Sequence, residues 1–129
     1  MSEVSATGEQ KKLLIVMTNG PEDPEKTYAP IYTAALSAAM EIQTRMYFLM
    51  HASKLLKRGA AEEIKLKKGG NLKQFIDMAM QNGVEFYVCE ESLVDLCGIE
   101  PRDVIDGVKV VGSSTLADLA LEADSVLSF

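Results

Sequence analysis

The sequence predicts an α/β fold, a three-layer α/β/α sandwich built on a five-stranded, mostly parallel sheet. Three observations carry this. Short apolar runs without polar alternation recur along the chain, as expected of strands covered on both faces. Segments of helical periodicity stand between them. Strand and helix alternate throughout, which favours parallel pairing with helices on both faces.

Residues 1–11 are polar, lack an apolar core and read as a flexible tail, with residues 12–129 forming a single domain. Residues 12–18 (KLLIVMT) are the first strand, and NGPEDPEK behind them is dense in turn formers. Residues 27–40 read as a helix, with Pro30 tolerated in the first turn. Residues 44–50 (TRMYFLM) are the second strand, followed by a short helix that Gly59 stops. EEIKLKKGG is a basic loop with one apolar side. Residues 71–83 form an amphipathic helix, capped by Asn71, stopped by Gly83, with Leu72, Phe75, Ile76 and Ala79 on its core face. Residues 84–88 are the third strand, and the helix after it carries Cys97 and ends at Gly98. Residues 108–112, 114–123 and 125–129 supply the fourth strand, the last helix and the fifth strand.

The chain has 129 residues, two cysteines, one histidine and a net charge of −6, an acidity that disfavours non-specific nucleic-acid binding. No apolar run approaches the roughly 20 residues that span a bilayer, so no membrane partner is expected. With no secretory signal at its start, the chain is expected to be cytoplasmic, where its thiols stay free. Seven basic residues between Lys54 and Lys73 stand against Glu62 and Glu63 alone, while the segment after them is strongly acidic. Within that basic stretch, Lys54, Lys57 and Arg58 are candidates to steer a small anion or an acidic partner.

Sites in an open parallel sheet form beyond the carboxyl ends of its strands. That rule selects Asn19, His51, Cys89 with Ser92, and Ser113. Cys89 falls where a strand hands over to a helix, and free backbone N–H groups there favour a thiolate; Glu90 and Glu91 oppose it. A small buried hydrophobe at a strand end is the competing reading of Cys89. His51 is a candidate proton donor or acceptor, or a structural residue. Over eight helical residues the chain rises about 12 Å, so Cys89 and Cys97 are not expected to bond, and Cys97 reads as packing. Two cysteines and one histidine are a poor metal set, GxSxG is absent, and the loop after the first strand lacks the GK[ST] of a phosphate loop, so no metal or cofactor is expected.

The runs YVCEESLVDLCGI and DGVKVVGSSTLADLALEADSVLSF, with KLLIVMTNGPED and MYFLMHASKLLKRG before them, resemble the DsrE/DsrF-like (TusD-related) sulfur-relay family. The resemblance implies a flavodoxin-like protomer, assembled as a homotrimer or homohexamer. It implies that Cys89 accepts sulfane sulfur as a persulfide or thiosulfonate, drawn from small sulfur anions such as thiosulfate. It also implies transfer to a small TusA-like or rhodanese-like carrier. Cys97 resembles a second cysteine of some branches, and Glu90 and Glu91 depart from the small or hydrophobic residues that often follow the active cysteine. The alternative from another functional class is a non-catalytic oligomeric binding module with an inert Cys89.

Overall fold

Five strands, β1 Lys12–Met17, β2 Gln43–Phe48, β3 Glu85–Cys89, β4 Val108–Val111 and β5 Ser125–Ser128, form one parallel sheet in the order β4-β3-β2-β1-β5. The computed structural model describes residues 10–129, so most of the expected tail, residues 1–9, lies outside the described residues. Three α-helices accompany the strands: α1 Tyr28–Ala39, α2 Leu72–Gln81 and α3 Ser113–Glu122.

The order follows from the handedness of parallel crossovers. From β1 to β4 the chain steps steadily toward one edge, and α1 and α2 fall on one face. The return from β4 to β5 runs the other way, which carries α3 across the opposite face. The order therefore reverses between β1 and β5, where Thr18 N–H donates to the Phe129 carbonyl over 2.9 Å.

On the first face Ile31, Ala34 and Ala35 of α1 and Leu72, Ile76 and Ala79 of α2 pack against Ile15, Met17, Met46, Phe48, Phe86 and Val88. Phe48 and Phe86 stack with ring centroids 5.5 Å apart, and Tyr28 meets Phe75 edge-on between the two helices. Asn71 caps α2 reciprocally with Gln74, each side chain accepting from the other residue's backbone N–H. The second face is thinner. There Leu116, Leu119, Ala120 and Ala123 of α3 and its C-terminal boundary cover Leu14, Tyr47, Tyr87 and Cys89.

Three local expectations are corrected. The segment after β2 winds as a 3₁₀ helix, Met50–Leu56, and the segment carrying the chain from β3 toward Cys97 is a π-helix, Glu91–Leu96, with Cys97 as its C-terminal cap. The third strand also runs one residue further than expected, taking in Cys89 itself. In β3 the sulfur-bearing residue is thus fixed by a ladder, opposite Val111 of β4.

At the amino end of the sheet, register sets Arg45 opposite Glu85, and the two form an ion pair of 2.8 Å. The Glu85 carboxyl is held below its ordinary range, first by its hydrogen bond from Arg45 and then by Lys109. A carboxylate depressed in the folded state contributes stability that is fully present above its unfolded value and is lost as pH falls through its folded value. Glu85→Gln should therefore remove part of the acid-side loss of stability, while leaving stability near neutral pH lower than wild type. Urea titrations of both proteins across the acid range read this out, and parallel acid limbs would refute it.

Candidate functional site

Cys89 ends β3 at the carboxyl edge of the sheet, on the α3 face, with only 4% of its surface exposed. Because β3 pairs with β4, the residue next to it across the ladder is the last of β4, and Gly112 then leads straight into α3. The start of α3 therefore lies beside the sulfur, together with the start of the segment that follows Cys89 in sequence. Gly112 supplies no capping side chain to α3, which leaves its first N–H groups for other partners.

Glu91 takes that place. Its Oε1 accepts from Cys89 Sγ over 3.3 Å and from Ser113 Oγ over 3.3 Å, and Cys89 Sγ lies 3.8 Å from Ser113 Oγ. The Glu91 carboxyl is held below the usual carboxylate range, first by the Cys89 thiol, then by its own backbone N–H, with the Ser113 hydroxyl and backbone N–H adding to it. Tyr47 lies beneath. Its buried hydroxyl donates to the Gly112 carbonyl over 2.9 Å, and burial pushes its pKa up, with neighbouring Cys89 and Glu91 acting in the same direction.

The site therefore joins Cys89, Glu91, Ser113 and Tyr47. Sequence reasoning picked out Cys89 and Ser113 and treated Glu91 only as a nearby charge. It missed Tyr47. The available signal was a phenol inside an apolar strand, since a buried tyrosine hydroxyl requires a partner.

The remaining candidates are placed elsewhere. Ser92 is buried, and its Oγ accepts from the Met50 N–H over 2.8 Å. Met50 has φ 54°, a left-handed conformation that costs a non-glycine residue on the order of 1 kcal/mol or more. Ser92 is thus a clamp on the chain leaving β2. His51 is exposed within the 3₁₀ segment, and its carbonyl occupies the space that a Cβ at Gly20 would need. Asn19 is half-buried in the loop after β1, at the point where strand order reverses, two strands away from Cys89.

Lys54 pairs with Glu22, Arg58 with Asp106 over 3.0 Å, and Lys57 is exposed. None of the three forms a hydrogen bond or ion pair with Cys89 or Glu91. Instead Lys54 and Glu22 lie near Cys97, whose thiol donates to the Met50 carbonyl over 3.5 Å and is pushed up by burial against the pull of Lys54. Cys97 packs with the α1/α2 core and Cys89 with the α3 core, so the two thiols belong to opposite faces of the sheet, and both are free. Opposite faces, rather than helical rise, keep them apart.

A cleft of about 690 Å³ lies between Pro21, Tyr28, Ile64 and Leu66 and includes none of the site residues. Among the described residues, no three His, Cys, Asp or Glu side chains cluster as a metal site would require, and no helix is long and apolar enough to cross a membrane.

Comparison with known proteins gives the family and the fold. A model of the DsrE/DsrF-like family matches residues 11–129. The chain is 26% identical over 113 residues to the uncharacterized protein MJ0760 of Methanocaldococcus jannaschii, a match covering 88% of this chain and 41% of that protein. It thus spans about two fifths of that curated relative. The crystal structure of the ychN protein from E. coli superposes with a TM-score of 0.77 at 25% identity, covering 94% of this chain and all of the other. MTH1491 from Methanobacterium thermoautotrophicum shares the fold, with a TM-score of 0.66 at 14% identity over 94% of this chain and 100% of that one. BT1422 from Bacteroides thetaiotaomicron does so with a TM-score of 0.68 at 15% identity over 92% of this chain and 95% of that one. The chain belongs to the DsrE/DsrF-like family, which is associated with sulfur relay.

Proposed function

We propose that the chain is a sulfur carrier or sulfurtransferase subunit that accepts sulfane sulfur on Cys89 and passes it to a small TusA-like or rhodanese-like partner. The observation that carries this reading is the position of Cys89. Its sulfur ends a ladder-fixed strand beneath the start of α3, with the exposed residues Glu91 and Ser113 beside it. A carrier needs a nucleophilic sulfur and little else.

In the step proposed, Cys89 gives up its S–H proton to solvent and attacks the outer sulfur of a donor persulfide, R–S–SH. A new S–S bond forms on Cys89 as the donor S–S bond breaks, and the donor leaves as R–S⁻ and takes up a proton. Nothing is oxidised overall, and no metal or cofactor takes part. The reading places residues 12–129 in one carrier unit, working in a cytoplasmic, reducing setting that keeps thiols free.

Assembly into a homotrimer or homohexamer belongs to the same reading. Its support is an edge strand, β5, with Val126, Leu127 and the following Phe129 exposed, and Leu121 on α3 86% exposed. Apolar side chains along an open strand edge favour coverage by another chain.

One observation favours the alternative, a binding module with an inert cysteine: Cys89 is 4% exposed and already hydrogen-bonded to Glu91. Intact-protein mass spectrometry after incubation with a small persulfide donor, R–S–SH, separates the two. Wild type and Cys97→Ser should gain a sulfur adduct that Cys89→Ser lacks. No adduct on any variant, under conditions that load an established carrier, would leave the inert module as the better reading.

The roles assigned to Ser92 and Cys89 also separate. Ser92→Ala should lower the unfolding free energy by about 1 kcal/mol, through loss of its hydrogen bond to Met50, while native Cys89 alkylates at an unchanged rate. Slower alkylation at full stability would instead put Ser92 in the reactive machinery.

A further inference from the structure

The sulfur donor can be narrowed by charge, an inference that rests on the reading of Cys89 as the accepting thiol. One carboxylate oxygen of Glu91 sits 3.3 Å from both the Cys89 sulfur and the hydroxyl of Ser113, the first residue of α3. An approaching oxyanion would look for these same donors, because a helix start with free N–H groups beside a hydroxyl attracts negative charge. Here that seat is filled by the chain's own anion.

Among the described residues no lysine or arginine forms an ion pair with Glu91. Lys109, on the neighbouring β4, is engaged with Glu85 and lies over the Tyr87 ring. Lys54 and Arg58 pair with Glu22 and Asp106, away from this group. Glu90, exposed at the start of the same turn, adds negative charge. Of the basic stretch that the sequence offers as an anion guide, Lys54, Arg58 and Lys73 are paired with other carboxylates, and none of its residues pairs with Glu91.

We propose that Glu91 sets the charge class of the sulfur donor: its carboxylate fills the anion seat beside Cys89, so the site takes neutral or protonated persulfide sulfur and turns away dianionic donors of the thiosulfate and tetrathionate class. A dianion reaches the sulfur only by displacing Glu91 from the start of α3 or by meeting it at contact distance. A persulfide bearing S–H can instead donate to the same carboxylate as the thiol does now. The exchange at sulfur is the redox-neutral one given above, so Glu91 acts on which donor arrives rather than on how the bonds balance.

Two aromatic disulfides of similar size and opposite charge character test this on the full chain with Cys97→Ser as background: the dithiobis-nitrobenzoate dianion and neutral dithiodipyridine. Their rates with Cys89 give a dianion-to-neutral ratio. Glu91 is exposed, so Glu91→Gln is compatible with the fold and should raise that ratio about tenfold. Added salt should raise the ratio in wild type and have much less effect in Glu91→Gln. Glu91→Asp, which keeps the charge, should stay near wild type, and Glu90→Gln should move the ratio far less than Glu91→Gln.

An unchanged ratio in Glu91→Gln, or an equal rise in Glu90→Gln, on a Cys89 that reacts would overturn the assignment to Glu91 and leave the carrier reading standing. A Cys89 that reacts with neither reagent in any variant would remove the carrier reading, and this proposal with it.

Discussion

The pairing of β3 with β4 is the constraint on which the site depends. In that register Cys89 stands opposite Val111, and the chain leaves β4 directly into Gly112 and α3. A shift of one residue would turn Cys89 to the other face of the sheet. It would also separate the sulfur from Ser113, and the Tyr47 hydroxyl from the Gly112 carbonyl it now holds. The handed crossovers add the second half of the arrangement. Only a return from β4 to β5 on the second face brings the start of α3 over the sulfur, and that return is also what places β5 beside β1.

Two thiol environments result, and they differ in kind. Cys89 has a carboxylate, a hydroxyl and the start of a helix around it, on the face that one helix covers. Cys97 has the Met50 carbonyl and the Lys54–Glu22 pair near it, on the face built from the larger core. The strained Met50 backbone stands between them in the chain of contacts: its N–H is held by Ser92, and its carbonyl accepts from Cys97. The short π-helix from Glu91 to Leu96 therefore sends Glu91 toward α3 and Ser92 toward the end of β2, dividing its side chains between the two faces.

Much of the fold was legible because the signals were local and repeated. The apolar runs at residues 12–18 and 44–50, the Asn71 cap and the Gly83 stop each have one dominant physical cause, and family resemblance agreed with them. The site was legible only in part. Cys89 and Ser113 were accessible from the rule about strand ends, because each needs only its own strand to be recognised. Tyr47 and the seating of Glu91 on α3 depend on which strands lie side by side, and no spacing in the sequence states that β4 neighbours β3. The basic stretch misled for the opposite reason: a local excess of lysines is visible in sequence, but the partners Glu22 and Asp106 that engage Lys54 and Arg58 lie outside it. The helical arithmetic applied to the two cysteines assumed α geometry where the chain winds as a π-helix.

Sulfur hand-over tests the account at its centre. The chain would be loaded from a persulfide donor, freed of that donor and mixed with a small TusA-like thiol carrier, and the intact masses of both proteins followed in time. The account predicts that a single sulfur leaves Cys89 and appears on the acceptor, with Cys97→Ser behaving as wild type. Sulfur that never loads, or that loads and stays on Cys89 while an established carrier discharges to the same acceptor, would contradict it.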